Sequence, residues 1–153
     1  MFRELRNSPI SELETKEVLL KGEYGVFSTT GSDNYAYGIP LNYVYLNGCI
    51  YVHGANIGHR IDNIKFNPSV SFCVVDSVKI LPDKFDTLFR SAIIFGQAQL
   101  VNDQEEKKEA LIALLEKYSK EYMENGIKYM NIEWDNTSVV KIAIEHITGK
   151  AQK

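Results

Sequence analysis

Val44-Tyr45-Leu46-Asn47-Gly48-Cys49-Ile50-Tyr51-Val52-His53 is the stretch that decides the fold class. Asn47 and Gly48 both tolerate the positive φ of a two-residue type I′ turn, and both flanks are β-prone, so a hairpin is predicted. Upstream, Tyr35 to Leu46 reads as one extended run interrupted by Pro40, which places that strand at a bulge or along an edge. Gly31-Ser32-Asp33-Asn34 is a turn cluster, and Tyr24 to Thr30 is another β-prone run. Ser11 and Glu14 have the spacing of a capping box, so a short helix should follow and close near Gly22 in a left-handed conformation. Downstream, Ile57, Ile61 and Ile64 fall on one face of a short helical pattern that Asn67-Pro68 stops. Val70 to Val75 and Arg90 to Val101 read as strands joined by a polar loop through Pro82-Asp83-Lys84. Asp103 and Glu106 form a second capping box. The helix it opens carries Ala110, Leu111, Leu114, Leu115, Tyr118 and Tyr122 on one stripe and is predicted to end at Asn125-Gly126. Val140, Ile142 and Ile144 alternate with Lys141, Ala143 and Glu145, as in a half-buried strand. Roughly six strands in hairpin-like succession predict a mainly β chain, a small antiparallel barrel with short helices.

The 153 residues are the usual size of one domain, with no repeat or linker, so residues 1–153 are read as a single unit. Hydrophobic residues at 44% and charged residues at 24% suit a globular protein with an ordinary core. A net charge of −3 lacks the basic footprint that nucleic acid or an anionic membrane attracts. Two cysteines, Cys49 and Cys73, are too few for a disulfide framework and match a reducing cytoplasm. The opening Met1-Phe2-Arg3-Glu4-Leu5-Arg6 has no apolar stretch of signal-peptide length, so a cytoplasmic location is expected. Neither a GxGxxG nor a P-loop follows any predicted strand, which disfavours nucleotide folds of those kinds.

His53-Gly54-Ala55-Asn56-Ile57-Gly58-His59-Arg60 joins a strand to a helix. It sets small residues where backbone needs close access, and two potential cations in the first helical turn. Free amides at a helix start attract anions, phosphate above all, and a guanidinium can clamp phosphate bidentately. The plainer alternative is a tight turn whose His59 and Arg60 face solvent. His53 and His59 could also ligate metal, but no CxxC or HxxxH spacing supports it. No GxSxG elbow marks a nucleophile. Tyr35, Tyr37, Tyr43, Tyr45 and Tyr51 could line an aromatic site or a dimer seam, or be core. Trp134, in polar surroundings, reads as a contact surface.

The ordered series Gly25-Val26-Phe27-Ser28-Thr29-Thr30, Gly38-Ile39-Pro40-Leu41-Asn42-Tyr43, Ile50-Tyr51-Val52-His53-Gly54-Ala55, Gly58-His59-Arg60, Asn67-Pro68-Ser69-Val70 and Arg90-Ser91-Ala92-Ile93 resembles the pyridoxamine 5′-phosphate oxidase-related flavin proteins, and among them the nitroimidazole-resistance branch. The likeness runs from about residue 2 to 150, through the closing Ile144 to Lys150. It implies an FMN-binding split β-barrel that works as a homodimer with flavin at the subunit interface. By the same resemblance Pro40, Leu41 and Asn42 run beside the flavin ring, and His53, Gly54 and Ala55 pass the ring and ribityl chain. Gly58, His59 and Arg60 hold the phosphate, and Ser91, with Trp134, comes from around the interface. A histidine near the flavin supports activity in that branch, a role for which His53 and His59 compete. Trp134 is followed by Asp135-Asn136-Thr137, not by the parent oxidase's Arg-Leu-x-Pro, so oxidation of pyridoxamine phosphate is not expected. The implied function is FMN-dependent reduction of a small aromatic or nitroaromatic compound. The alternative is a flavin- or haem-binding module of the same fold without turnover.

Overall fold

The computed structural model describes residues 8–153, so the reading of Met1 to Arg6 lies outside the described residues. Asn47 (φ 52°) and Gly48 (φ 74°) both occupy the left-handed region, as the type I′ turn requires. They join β3 (Val44–Leu46) to β4 (Cys49–Ala55), with Leu46 opposite Cys49. The other strands are β1 (Gly25–Thr30), β2 (Ala36–Leu41), β5 (Ser69–Leu81), β6 (Asp86–Leu100) and β7 (Thr137–Gln152). All pair antiparallel in the order β2-β1-β5-β6-β7-β4-β3.

That order forces curvature. β2 and β3 stand at opposite edges of a seven-stranded sheet, yet only Asn42-Tyr43 connects them. Three Cα–Cα steps reach about 11 Å at most, whereas the edges of a flat sheet of this width would lie roughly 29 Å apart. The sheet therefore curls into a half-barrel whose split runs between β2 and β3. The predicted run from Tyr35 to Leu46 is thus two strands on two edges, and Pro40 sits on an edge as its missing N–H demands.

Phe27, Phe72, Ile50, Val52, Ile94 and Ile142 fill the barrel, and the hydroxyl of buried Tyr43 donates to Leu19 O at 2.6 Å. Val18 and Leu19 of α1 (Glu12–Lys21), with Ile61 and Ile64 of α2 (His59–Phe66), pack on the same core. Ile57 precedes α2 and is exposed, because the helix starts only at His59. A second core lies outside the barrel, where α3 (Gln104–Tyr118) and α4 (Met123–Ile132) cover Val44, Tyr51 and Val139. Asn125-Gly126 does not end α3; it lies inside α4, after a break at Ser119, and Tyr122 is exposed. A Cβ on Gly126 would come 2.8 Å from Leu115 Cδ2, so glycine is kept there for helix contact. Trp134 belongs to packing as well. It lies against the second core, donates from Nε1 to Gln104 Oε1 at 2.9 Å and carries Lys107 Nζ over its ring at 4.4 Å.

Residues 77–88 are mostly not loop. β5 and β6 continue through them as a two-stranded ribbon turned by Pro82–Lys84, with Phe85 (φ 53°) in the left-handed region. Gly22 closes α1 with φ −58°, not left-handed; any side chain there would overlap Val74 and Tyr43.

Both capping residues act as predicted, Ser11 Oγ accepting from Glu14 N and Asp103 from Glu106 N. The glutamates, however, reach elsewhere. Glu106 accepts from Lys141 Nζ at 2.9 Å and from the Tyr51 hydroxyl at 2.7 Å. The Lys141 ammonium and then the Tyr51 hydroxyl hold the Glu106 carboxyl below its usual range. This stabilisation is complete above pH 4.5 and is lost as the pH falls through the lower folded value. Glu106→Gln should therefore cost about 1 kcal/mol at pH 7, with the exposed part screened by water. The difference from wild type should shrink toward pH 3. Denaturant melts across that range measure it, and a difference that does not vary with pH would refute the assignment.

Glu14 belongs to a cluster around Arg90, whose Nη1 lies 3.6 Å from Glu14 Oε1 and 3.3 Å from Glu17 Oε2. Its Nε donates to Asp76 Oδ1 at 3.1 Å and its Nη2 to Asp76 Oδ2. The register shift between Val75 and Ser77 leaves Asp76 unpaired in the ladder, and its side chain is 2% exposed. The bulge aims Asp76 at Arg90 and ties β5 and β6 to α1.

Candidate functional site

α2 opens at Gly58, whose φ of 148° is strained for any residue with a side chain and which offers no capping hydrogen bond to the first amides. One residue into the helix, the Arg60 guanidinium lies flat against Gly54 of β4. A Cβ at Gly54 would sit 2.9 Å from Arg60 Cζ, so the glycine makes room for the arginine. Arg60 Nε and Nη2 are buried without a hydrogen-bond partner. Burial pushes the Arg60 pKa down, opposed by the Tyr37 side chain of β2. Buried polar groups are almost always paired, and an unpaired buried cation is costly. The Arg60 donors and the uncapped amides of α2 together fit an anion. His59 also reaches Tyr37. Its ring meets Tyr37 edge-on at 4.6 Å, and its Nε2 lies 3.8 Å from Asp33 Oδ2.

His53 projects from the same face of β4 as Tyr51, toward α3 and α4. It lines a cavity of about 200 Å³ with Asn42, Leu111, Leu114, Met130 and Glu133. The ring keeps an exposed edge at the cavity mouth, yet the walls displace water around it. That desolvation, aided by the Arg60 charge, pushes the His53 pKa below 6.5, so the imidazole is neutral at pH 7. Asn42 is held by its own Nδ2, which donates to Glu23 O at 3.1 Å. The adjoining Tyr43 backbone is clamped by α3. Its N–H donates to the Tyr118 hydroxyl at 3.1 Å, and its carbonyl accepts from Lys117 Nζ at 3.0 Å. The Tyr118 hydroxyl donates in turn to Glu23 O at 2.6 Å. The split of the barrel is thereby pinned at the point where β2 leaves the sheet.

The family model for pyridoxamine 5′-phosphate oxidase matches residues 11–151, nearly all of the described chain. The chain belongs to that family. Among solved structures, a protein from Bacteroides thetaiotaomicron provisionally assigned to 5-nitroimidazole antibiotic resistance is 22% identical, with a TM-score of 0.75 over 96% of this chain and 90% of the other. A conserved hypothetical protein from Mycobacterium tuberculosis is 19% identical, with a TM-score of 0.79 over 98% and 90% of the two chains. The FAD and haem binding protein from Mycobacterium smegmatis is 14% identical, with a TM-score of 0.72 over 94% and 72%. At these identities the likeness is one of fold, the split barrel. No curated protein matches the chain.

Set on this family fold, the residues implied by the resemblance separate into three groups. Gly54, Gly58, His59 and Arg60 converge where β4 meets α2, with Ala55 exposed beside them. Asn42 and His53 share the cavity under α3 and α4. Pro40 lies exposed on the outer face of edge strand β2, while Leu41 is half-buried and packs against the core. Ser91 stands apart. It pairs with Lys150 near the far end of β7, whereas Gly54 pairs with Ser138 near its start. Within one chain, Ser91 does not join the others. Sequence reasoning missed Lys117, Tyr118 and Glu133, and it offered Tyr37 only as one of five tyrosines that could line an aromatic site, a dimer seam or the core. Tyr37 and Tyr118 were visible only as aromatics in β and helical patterns, and no local signal marks the other two. Among the described residues no helix is long and apolar enough to cross a membrane.

Proposed function

We propose that the protein is a cytoplasmic FMN-dependent oxidoreductase that reduces a small aromatic or nitroaromatic substrate. The observation that carries this reading is the pair of Arg60 donors, Nε and Nη2, buried without a partner at the uncapped start of α2. A phosphate there would meet charge-assisted donors and the positive helix end together. When bound, FMN would supply the hydride or electron chemistry. The chain's own part is positional. Arg60 and the α2 amides would hold the phosphate, Gly54 would leave room for the arginine, and the backbone of β2 beyond Pro40 would run along the ring. His53, neutral at pH 7, presents one N–H donor and one nitrogen acceptor at the cavity mouth, so it would relay a proton to the reduced substrate only by taking one from water at its free nitrogen as it gives up the N–H. Titrating FMN into the flavin-free protein should quench flavin fluorescence to one flavin per chain. The loaded protein should then reduce a nitroaromatic with a nicotinamide donor. Failure to bind flavin would end this reading. Binding without turnover would favour the second reading, a carrier or sensor module, which the likeness to a flavin- and haem-binding protein also supports.

We further propose that it functions as a homodimer. Val26 (36% exposed), Val75 (43%), Ile93 (36%) and Phe95 (38%) lie on the outer face of neighbouring strands β1, β5 and β6. The same face reaches Pro40 across the Val26–Pro40 pair. A second copy would cover this apolar strip and could bring its Ser91 to the flavin. Sedimentation at low micromolar concentration should give one species of twice the chain mass; a monomer that still holds flavin would overturn the dimer.

A further inference from the structure

The cavity beneath α3 and α4 is formed by a single chain and lies on the face of β4 opposite Gly54 and Arg60, so it is separate from the anion site. Its walls are the apolar side chains of Leu111, Leu114, Leu115 and Met130. Its volume, about 200 Å³, exceeds the ~150 Å³ of an engineered apolar cavity that accepts benzene. Gly126, disfavoured in the middle of a helix, stands in this wall; a side chain there would press on Leu115 and shrink the space.

The lining carries the hydroxyls of Tyr118, Ser119 and Tyr129, which donate as well as accept, beside Asn42, His53 and Thr137, and Glu133 is its one acidic or basic side chain apart from His53. Glu133 lines the cavity, and its Oε2 accepts from Asn136 Nδ2 only at a long 3.4 Å, which leaves the carboxylate with acceptor capacity to spare. Thr137 spends its hydroxyl proton on Glu133 O at 2.8 Å. Asn42 spends an amide donor on Glu23 O and keeps its carbonyl oxygen. His53 offers one acceptor and one donor. A ligand N–H or O–H finds acceptors here in Asn42, His53 and Glu133, and a ligand that brings a negative charge is repelled by Glu133.

We propose that this cavity is a ligand site for a single-ring aromatic molecule that carries a hydrogen-bond donor and no negative charge. The ring lies among Leu111, Leu114, Leu115 and Met130, and the donor faces the rim of Glu133, Asn42 and His53. The site does not depend on flavin; it restricts which substrates the proposed oxidoreductase can admit to the side of β4 that carries His53.

Phenol and benzoate, the same ring with a donor or with an anionic group, are the probes. Methyl-detected NMR on the full chain at pH 7.5, flavin-free and after FMN addition, should show phenol shifting the Leu111, Leu114, Leu115 and Met130 methyls in both samples. The apparent Kd should be about 1 mM, as befits so few atoms. Benzoate should bind at least about tenfold more weakly. Glu133→Gln keeps the side-chain shape and should bring benzoate within about threefold of phenol. Leu115→Trp, if its melting temperature shows that it folds, should abolish phenol binding by filling the cavity. Phenol shifts confined to other methyls would overturn the proposal, as would equal binding of benzoate and phenol to wild type or Glu133→Gln without effect on their ratio. Because the flavin-free sample carries the main readout, a failure of FMN to bind leaves this test intact.

Discussion

Arg60→Ala should lower FMN affinity about 30- to 1,000-fold while leaving riboflavin affinity within about threefold of wild type. Arg60 Nε and Nη2 are buried without a partner, and only the phosphate distinguishes the two flavins. Losing one charge-assisted, largely desolvated contact costs about 2–4 kcal/mol, which sets the range. Arg60→Lys should recover a part only, because an ammonium cannot form the planar fork and would leave space over Gly54. A second readout is independent of flavin. The Arg60 charge helps to keep His53 neutral, so the His53 ring protons should titrate at higher pH in Arg60→Ala than in wild type. Fluorescence titration with both flavins and an NMR pH titration measure these effects. Equal loss of FMN and riboflavin would show damage to the fold and remove the phosphate assignment.

Arg90→Leu should destabilise the chain by about 3–5 kcal/mol, because it strands the Asp76 carboxylate, 2% exposed, without its partner. For a chain of this length that corresponds to a melting temperature lowered by roughly 6–20 °C. Asp76→Asn should cost less, about 1–2 kcal/mol, since Arg90 retains Glu14 and Glu17 and burial of a neutral amide is easier. The order of the two variants is the test. If Asp76→Asn proved the more damaging, the bulge itself rather than the pairing would hold this corner of the barrel. Thermal melts of both proteins, with β-sheet content followed by circular dichroism, decide between these outcomes.

The sequence was most legible where a residue's own conformational limits act locally. Asn47-Gly48 had to turn as they do, because the two residues that tolerate positive φ stand between two β-prone runs. Ser11 and Asp103 cap helices through bonds three residues away, so no distant contact was needed to find them. Pro40 announced a bulge or an edge because it lacks a donor, and the sheet order makes it an edge. The anion site was half legible: Gly58 and Arg60 have the spacing of a helix start, but that Arg60 is buried on Gly54 and unpartnered depends on β4 lying beside α2.

Other features were settled only by chain segments meeting. Whether a mixed stretch such as 77–88 becomes loop or strand depends on a partner strand, and β5 and β6 supply each other along the ribbon. The division of Tyr35–Leu46 into two edges follows from closure of the barrel, which no window of local sequence contains. The cavity at His53 arises where α4 folds back on α3, and Asn125-Gly126, which locally reads as a stop, is retained inside a helix because Leu115 occupies the space beside it. By itself the sequence determined the turn, the caps, the restriction of Pro40 to a bulge or an edge and the residue types at the start of α2, all consequences of φ, ψ and hydrogen bonding within a few residues. The tertiary structure alone decided which face of each strand is buried, which glutamate meets which cation and which donor is left without a partner, because those depend on surfaces brought together from distant parts of the chain.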